Sequence, residues 1–204
     1  MQEKTHTIYI IDDDNEVCEA LRWLLESVQF MVQTYKDAYS FLEAYDNKKQ
    51  GCLIMDVRLP GMSGLELLDQ LRQQKCPLPV IVISGHGDIT MAVRAMKLGA
   101  KDFILKPFND QCLLEAVQKQ INQLIDNNYL FVINERLNTL SERERQIIKL
   151  IVDGKLNKQI SHELSISIST VEAHRANIMT KMQAKNLAQL IKIYLQAQFN
   201  YEFV

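Results

Sequence analysis

The sequence contains no apolar run near the roughly 20 residues that a membrane-spanning helix needs. Its first residues, MQEKTHTIYIID, lack the basic stretch, apolar core and small-residue cleavage site of a secretory signal. The four cysteines, at positions 18, 52, 76 and 112, form no CxxC pair and have no histidine close by in the sequence. These absences predict a cytoplasmic protein without a membrane partner, and they argue against a disulfide scaffold and a zinc site.

Charge is nearly balanced over the whole chain, but it is distributed unevenly. The 204 residues include 23 Lys and Arg against 25 Asp and Glu, a net charge of −2. Residues 1–137 hold 14 basic and 19 acidic side chains, a net charge of −5, whereas residues 138–204 hold 9 and 6, a net charge of +3. At about 100–200 residues per domain, this asymmetry predicts two domains with different partners.

From residue 7 to about 126, apolar runs of strand length alternate with segments of helical spacing. Near-continuous apolar runs such as CLIMD and VIVIS are typical of strands that are covered on both faces. Five strand–helix units predict an α/β domain over residues 1–125, with a doubly wound, five-stranded parallel sheet. The expected strands are Thr7–Ile11, Phe30–Thr34, Cys52–Asp56, Val80–Ser84 and Asp102–Leu105.

The pattern changes after residue 125. Residues 126–137 (DNNYLFVINERL) begin like a turn and show no clear period, so we interpret them as a linker, with a strand or a helix extension as alternatives. In residues 138–204, Ser141 and Glu144 have the spacing of a helix capping box, and Gly154 is placed to end that helix. Further helices at about 157–165, 168–182 and 187–198 complete a predicted all-α, four-helix domain.

Polar side chains follow the strands at the edge where open α/β sheets bind their ligands. Clustered carboxylates repel one another unless a hard cation such as Mg²⁺ lies among them. A lysine and a hydroxyl beside that cation are suited to bind a phosphoryl group, which a carboxylate can accept. Taken singly, each residue could also be a helix cap, a turn former or an exposed charge. The residues at strand ends are Asp12, Asp13, Asp14, Asp56, Ser84, Lys106 and Pro107.

The motifs IIDDDNEV, LIMDVRLPGMSGLELL, VIVISGHGDITMAVRAMKLGAKDF and ILKPF resemble, in this order, the receiver domain of two-component response regulators. The run from the third motif into the fourth is most similar to the FixJ side of the NarL/FixJ family. The resemblance implies a flavodoxin-like fold in which a sensor histidine kinase phosphorylates Asp56. It implies a Mg²⁺ ion held by Asp12, Asp13, Asp56 and the backbone carbonyl of Arg58.

The same resemblance implies a phosphorylation switch. Lys106, joined to Pro107 by a cis bond, would bind the phosphoryl oxygens, Ser84 would swing toward the phosphate, and Phe103 would turn inward behind it. The surface of residues 87–98 and 101–105 would then rearrange and form a homodimer. Arg58 and His86 could tune the hydrolysis rate or could be exposed loop residues.

Residues 140–182, LSERERQIIKLIVDGKLNKQISHELSISISTVEAHRANIMTKM, resemble the LuxR-type helix-turn-helix of the same family. This implies a supporting helix at Asn157–Ser165 and a recognition helix at about Ser167–Met182 in the major groove of promoter DNA. Val171, Ile178 and Met182, spaced i, i+7 and i+11, are expected to face the core. The residues implied at base edges are Glu172, Ala173 and Ala176, and those implied mostly at phosphates are Lys155, Asn157, Lys158, Thr170, His174, Arg175 and Lys181.

Two assignments in the helical part have alternatives. Glu172 could accept from cytosine N4, or it could form a capping box with Ser169. The stripe Leu187, Leu190, Ile191 and Tyr194 could be a dimer interface or could pack in the core. A charge of +3 predicts weak DNA binding by one copy, so we expect phosphorylation to produce a dimer.

The sequence allows two other classes of function. Asp12-x-Asp14 resembles the start of haloacid-dehalogenase-type phosphatases, but Glu16 stands where that family wants Thr or Val, and no second acidic pair follows. The helical domain could alternatively bind protein. We predict a response regulator, not an enzyme, that receives a phosphoryl group from a sensor histidine kinase. It would bind promoter DNA as a homodimer and act with RNA polymerase, in the manner of an activator.

Overall fold

The computed structural model describes residues 6–46, 50–85 and 89–201. These residues belong to two compact units, residues 1–124 and residues 125–204. His86, one of the two residues with an open role in hydrolysis, lies outside the described residues. Residues 87 and 88 of the expected dimer surface lie outside them as well.

The first unit is built on a parallel sheet with the strand order β2–β1–β3–β4–β5, which confirms the predicted α/β fold class. The second strand begins one residue later than expected. Gln29 adopts φ 67°, and the Phe30 N–H donates a hydrogen bond to the Leu25 carbonyl. Phe30 therefore belongs to the turn that precedes the strand. The strands are β1 (Thr7–Ile11), β2 (Met31–Tyr35), β3 (Gly51–Asp56), β4 (Val80–Ser84) and β5 (Asp102–Leu105).

Helices cover both faces of this sheet. β3 and β4 are buried along their whole length, as their unbroken apolar runs predicted. Ile54 and Ile81 contribute to the core on the side of α1 and α5, whereas Leu53 and Val82 contribute to the core on the other side. The helices are α1 (Asn15–Ser27), α2 (Ala38–Ala44), α3 (Gly64–Gln73), α4 (Ile89–Lys97) and α5 (Asp110–Asn138).

The last of these helices is longer than the sequence pattern suggested. The sequence pattern predicted a linker at residues 126–137, but α5 continues to Asn138. Of the two alternatives for this segment, the structure shows the helix extension. This stretch contains neither Pro nor Gly, so nothing in it breaks a helix. Ile133 is fully buried in the core of the second unit, with Leu137 packed against that core. This packing stabilises a segment whose own sequence has only a weak helical period.

The described residues of the second unit form helices joined by short turns, with no strand among them. The predicted capping box is present at the start of α6, where Ser141 and Glu144 each accept from the other's backbone N–H. Gly154, just after this helix, has φ 78°, as its predicted position requires. The predicted core residues Val171, Ile178 and Met182 are fully buried. Beyond α5, the helices are α6 (Glu142–Val152), α7 (Asn157–Leu164), α8 (Ile168–Lys181) and α9 (Leu187–Tyr201).

Among the residues that the structure describes, no helix is both long enough and apolar enough to cross a membrane.

Candidate functional site

Three carboxylates meet at the carboxyl end of the sheet. β1 and β3 are parallel neighbours, with Ile11 opposite Met55, so the residues that follow, Asp12 and Asp56, lie side by side. Asp12, Asp13 and Asp56 each place a carboxylate oxygen within 4.8 Å of the others. Asp12 and Asp56 are only 1% and 9% exposed, whereas Asp13 is exposed. The cluster is therefore a concentrated negative charge with one side open to solvent.

Lys106 supplies the positive charge of this site. Its ammonium nitrogen Nζ lies 2.7 Å from Asp12 Oδ2 and 3.9 Å from Asp56 Oδ1. The Lys106 backbone N–H donates to the carbonyl of Ser84, which ends β4 and is 1% exposed. The Lys106–Pro107 bond is cis, as the resemblance implied. Residues from four strand ends thus converge at this edge, as predicted.

The Asp56 carboxylate lies in surroundings that disfavour its negative charge. Burial raises the pKa of this carboxylate, the ammonium of Lys106 lowers it, and the negative charge of Asp12 raises it again. The net result is a pKa above the usual value. Asp56 Oδ1 is buried and accepts no hydrogen bond from any described residue. Such an oxygen, grouped with two more carboxylates, suits a hard cation with oxygen ligands. The residues present therefore fit a divalent metal ion.

Asp14 does not belong to this cluster. Its side chain caps α1 by accepting from the backbone N–H groups of Glu16 and Val17. Of the strand-end residues that could have capped a helix, Asp14 caps α1 and Asp13 does not. The Asp14 N–H in turn donates to Asp12 Oδ1 at 3.0 Å, a contact that helps to orient the buried carboxylate.

A close backbone contact beside Asp56 could not be seen in the sequence. Gly64, the first residue of α3, packs so tightly that a Cβ there would lie 2.2 Å from the Asp56 carbonyl oxygen. The Gly64 N–H also donates to the Val57 carbonyl at 2.9 Å. α3 therefore supports the backbone of Asp56 directly, and Arg58 is exposed beyond it. Phe103, the implied switch residue, is half-buried and packs against the core.

The second unit contains a helix–turn–helix formed by α7 and α8. Ser165 ends α7 in the left-handed conformation with φ 52° and ψ 45°. Ser167 then caps α8 by accepting from the Thr170 N–H. The alternative capping box of Ser169 and Glu172 was wrong, since both residues lie inside α8. The residues implied at DNA differ in exposure. Those exposed to solvent are Lys158, Thr170, Glu172, Ala173, Ala176 and Lys181. Those that are half-buried are Lys155, Asn157, His174 and Arg175.

Two of the lysines implied at DNA already have partners within the unit. Lys181 Nζ lies 2.7 Å from Glu144 Oε2 and donates to the Thr139 carbonyl. Lys155 pairs with Glu163. Burial of Glu144 acts to raise its pKa, but Lys181 and Ser141 outweigh this and hold the pKa below the usual value. Lys181 thus ties the end of α8 to the start of α6.

The stripe on α9 divides between core and surface. Leu190 and Tyr194 are 1% and 7% exposed and belong to the core of the unit. Leu187 is 44% exposed. The core alternative therefore holds for Leu190 and Tyr194, while Leu187 faces solvent.

Comparison with known families agrees with both units. Residues 8–118 match the response regulator receiver domain, and residues 138–194 match the bacterial regulatory proteins of the luxR family. The transcriptional regulatory protein FixJ of Rhizobium meliloti (strain 1021) is 44% identical over 198 residues, which cover 95% of this chain and 97% of that protein.

Two solved structures are also similar over nearly the whole chain. The low-resolution structure of the response regulator StyR matches with a TM-score of 0.68 and 40% identity, over 94% of this chain and 99% of that one. Full-length FixJ from B. japonicum matches with a TM-score of 0.59 and 40% identity, over 97% of this chain and 99% of that one.

The fold and the matches together define a class of signalling protein, a receiver domain followed by a LuxR-type DNA-binding domain. The chain belongs to the NarL/FixJ family of two-component response regulators, and is thus homologous to the FixJ transcriptional regulators. Members of this family regulate transcription and are not metabolic enzymes. The alternative of a haloacid-dehalogenase-type phosphatase was therefore wrong. A receiver implies a histidine kinase as partner, and a LuxR-type domain implies DNA binding.

Proposed function

We propose that Asp56 accepts a phosphoryl group from a phosphohistidine of a sensor kinase. The observation that carries this proposal is the buried Asp56 Oδ1, which lacks a hydrogen-bond partner among the described residues and lies 3.9 Å from Lys106 Nζ. One carboxylate oxygen of Asp56 attacks phosphorus, the phosphorus–nitrogen bond breaks, and the departing imidazole takes up a proton. The product is an acyl phosphate on Asp56.

The neighbouring residues would bind the phosphoryl group and a metal ion. Asp12, Asp13 and Asp56, with the backbone carbonyl of Arg58, would hold Mg²⁺, which supplies positive charge that offsets both the carboxylates and the phosphoryl oxygens. Lys106 would bind a phosphoryl oxygen with its ammonium. Ser84, at the end of β4, would donate its hydroxyl to another.

Phosphorylation would then change a surface of the first unit. It adds a charge of about −1.5 to −2 beside Ser84 and Lys106, which draws the ends of β4 and β5 toward the phosphate. Phe103, inside β5, and Pro107, the residue after Lys106, would follow this movement. The surface of α4 and β5 is apolar and exposed at Ile89, Val93, Met96 and Leu105, with exposed fractions of 84%, 46%, 49% and 51%. This surface supports a phosphorylation-dependent homodimer.

The dimer would bring two copies of α8 to promoter DNA. We propose that α8 enters the major groove, with Glu172, Ala173 and Ala176 toward base edges. The residues mostly toward phosphates would be Asn157, Lys158, Thr170, His174 and Arg175. Because Lys155 and Lys181 are paired inside the unit, we assign them a smaller share of the DNA contacts. On this view residues 1–125 receive the signal, 126–137 connect, and 138–204 bind DNA in the cytoplasm and act with RNA polymerase.

The assignment of Asp56 can be tested with acetyl phosphate as phosphodonor. The wild-type protein with Mg²⁺ should gain one phosphoryl group in intact mass spectrometry, and Asp56→Asn should gain none. Asp14→Asn is the matched control, because asparagine also caps helices, so this variant should still be labelled. Labelling of Asp56→Asn at another residue would overturn the assignment.

The DNA-binding half of the proposal is tested separately. Phosphorylated wild-type protein should bind promoter fragments with an affinity that falls as salt rises, since the contacts release counterions. Asp56→Asn treated with the same phosphodonor should bind more weakly. If neither protein shows salt-dependent DNA binding, the alternative of a protein-binding helical domain is favoured.

A further inference from the structure

The solvent-facing side of α8 carries a single acidic residue among small ones. Glu172, Ala173 and Ala176 are all exposed, and they lie opposite the buried Val171 and Ile178. Alanine side chains are short, so this face of the helix can approach the floor of a groove closely. Glu172 is the fifth residue of α8, within the N-terminal part that recognition helices direct at base edges.

A structural role for Glu172 finds no support in the local geometry. The cap of α8 is formed by Ser167, whose hydroxyl accepts from the Thr170 N–H at 3.0 Å. Glu172 is therefore not needed to complete a capping box. Within the described part of the chain its carboxylate has neither an ion-pair nor a hydrogen-bond partner, unlike Glu144 and Glu163, which pair with Lys181 and Lys155. Its acceptor oxygens are available to a ligand.

A lone carboxylate is an unusual group to direct at DNA. Phosphates repel it, so it weakens binding to every sequence alike unless a base compensates for it. In the major groove, guanine and thymine present acceptors that repel a carboxylate, whereas cytosine presents its N4 amino group. Adenine also offers an amino group, but its N7 acceptor lies next to it. Cytosine is therefore the base that a carboxylate prefers.

We infer that Glu172 is a specificity-determining residue that accepts a hydrogen bond from N4 of a cytosine in each half-site. The inference rests on the proposed function, namely that α8 reads the major groove. It assigns the base preference to one side chain, and it explains why a binding surface with little positive charge carries an acidic residue at its centre. The charge penalty is offset only where cytosine is present.

The test is selection from a random duplex DNA library with the full-length, phosphorylated protein. Wild-type protein should enrich a motif with a cytosine in each half-site, with on the order of tenfold weaker binding when that base is changed. Glu172→Ala should flatten the preference at that one position. Glu172→Gln should shift the preference from cytosine toward adenine, because glutamine pairs with adenine N6 and N7. A residue with a merely structural role would not move the preference in this way.

The matched control is Glu142→Gln, which makes the same change of charge at an exposed position of α6. Its selected motif should be that of the wild type. If both Glu172 variants bind all sequences more tightly and select the wild-type motif, Glu172 acts through charge alone and the inference is overturned. If the wild-type protein retains DNA without a preferred motif, the inference is overturned, and if it retains no DNA at all, the proposed DNA-binding function itself is contradicted.

Discussion

Lys106 Nζ donates a hydrogen bond to Asp12 Oδ2 across 2.7 Å, and Asp12 is only 1% exposed. Asp12 therefore holds the ammonium at the site, and Asp12 is not the residue that we propose is phosphorylated. Asp56 Oδ1 lies farther from the same nitrogen, at 3.9 Å. This arrangement keeps the cation in reach of an incoming phosphoryl group, while the Asp56 oxygen accepts no hydrogen bond from the described residues and is available for reaction.

The first prediction concerns binding of Mg²⁺ to the carboxylate cluster. Bound Mg²⁺ would relieve the repulsion among Asp12, Asp13 and Asp56, so millimolar MgCl₂ should raise the Tm of the full-length protein. The rise should be largely lost in Asp13→Asn. Differential scanning fluorimetry with and without EDTA measures the effect, with NaCl at matched ionic strength as the salt control.

Asp14→Ala separates metal binding from helix capping. It should lower stability by about 0.5–2 kcal/mol, because α1 loses its cap, while the increase of Tm with MgCl₂ persists. An equal increase in wild type and Asp13→Asn would show that the exposed Asp13 carboxylate is not a ligand.

The second prediction concerns the contact between Gly64 and Asp56. A Cβ at position 64 would meet the Asp56 carbonyl oxygen at 2.2 Å, so Gly64→Ala must displace the backbone of the phosphoacceptor. We expect a loss of about 1–3 kcal/mol in the free energy of unfolding, together with slower labelling by acetyl phosphate. Ser63→Ala removes the adjacent helix cap instead, and at similar stability it should be labelled at nearly the wild-type rate. Equal rates in the two variants would show that stability alone controls labelling.

The parts of the molecule that were predictable from sequence depend on short-range patterns. The strand ends that hold Asp12 and Asp56 follow from apolar runs and motif order, and the core positions of α8 follow from the spacing of Val171 and Ile178. The length of α5 was not predictable, because Ile133 is buried by residues far along the chain. For the same reason, the pairing of Lys181 with Glu144, across 37 positions, left no local signal.

The third prediction uses that ion pair between α6 and α8. The pKa of Glu144 is lower in the folded protein than in the unfolded chain, where it is about 4.3. The carboxylate therefore contributes stability that is fully present above the unfolded pKa and is lost as the pH falls through the folded one. Lys181→Met should cost about 1–3 kcal/mol at pH 7, because the nearly buried carboxylate loses its cation.

The deficit of Lys181→Met should shrink toward pH 3.5, since a protonated Glu144 no longer needs the ammonium. This loss of stability is measured by hydrogen exchange of the α6 and α8 amides, compared with the wild type at each pH. Lys185→Met is the control, as it removes an exposed lysine just beyond α8. A deficit that is constant with pH would mean that Lys181 acts through packing alone.

The fourth prediction concerns the turn between α7 and α8. Ser165 is left-handed, with φ 52° and ψ 45°, a conformation that costs a residue with a Cβ about 1–2 kcal/mol. Ser165→Gly removes this cost but adds freedom to the unfolded chain, so we expect a net stabilisation of up to about 1 kcal/mol. Ser165→Val should instead destabilise the unit, because β-branched residues are strained at positive φ. Urea unfolding followed by circular dichroism distinguishes the three proteins, and a valine variant as stable as the glycine variant would contradict the left-handed turn.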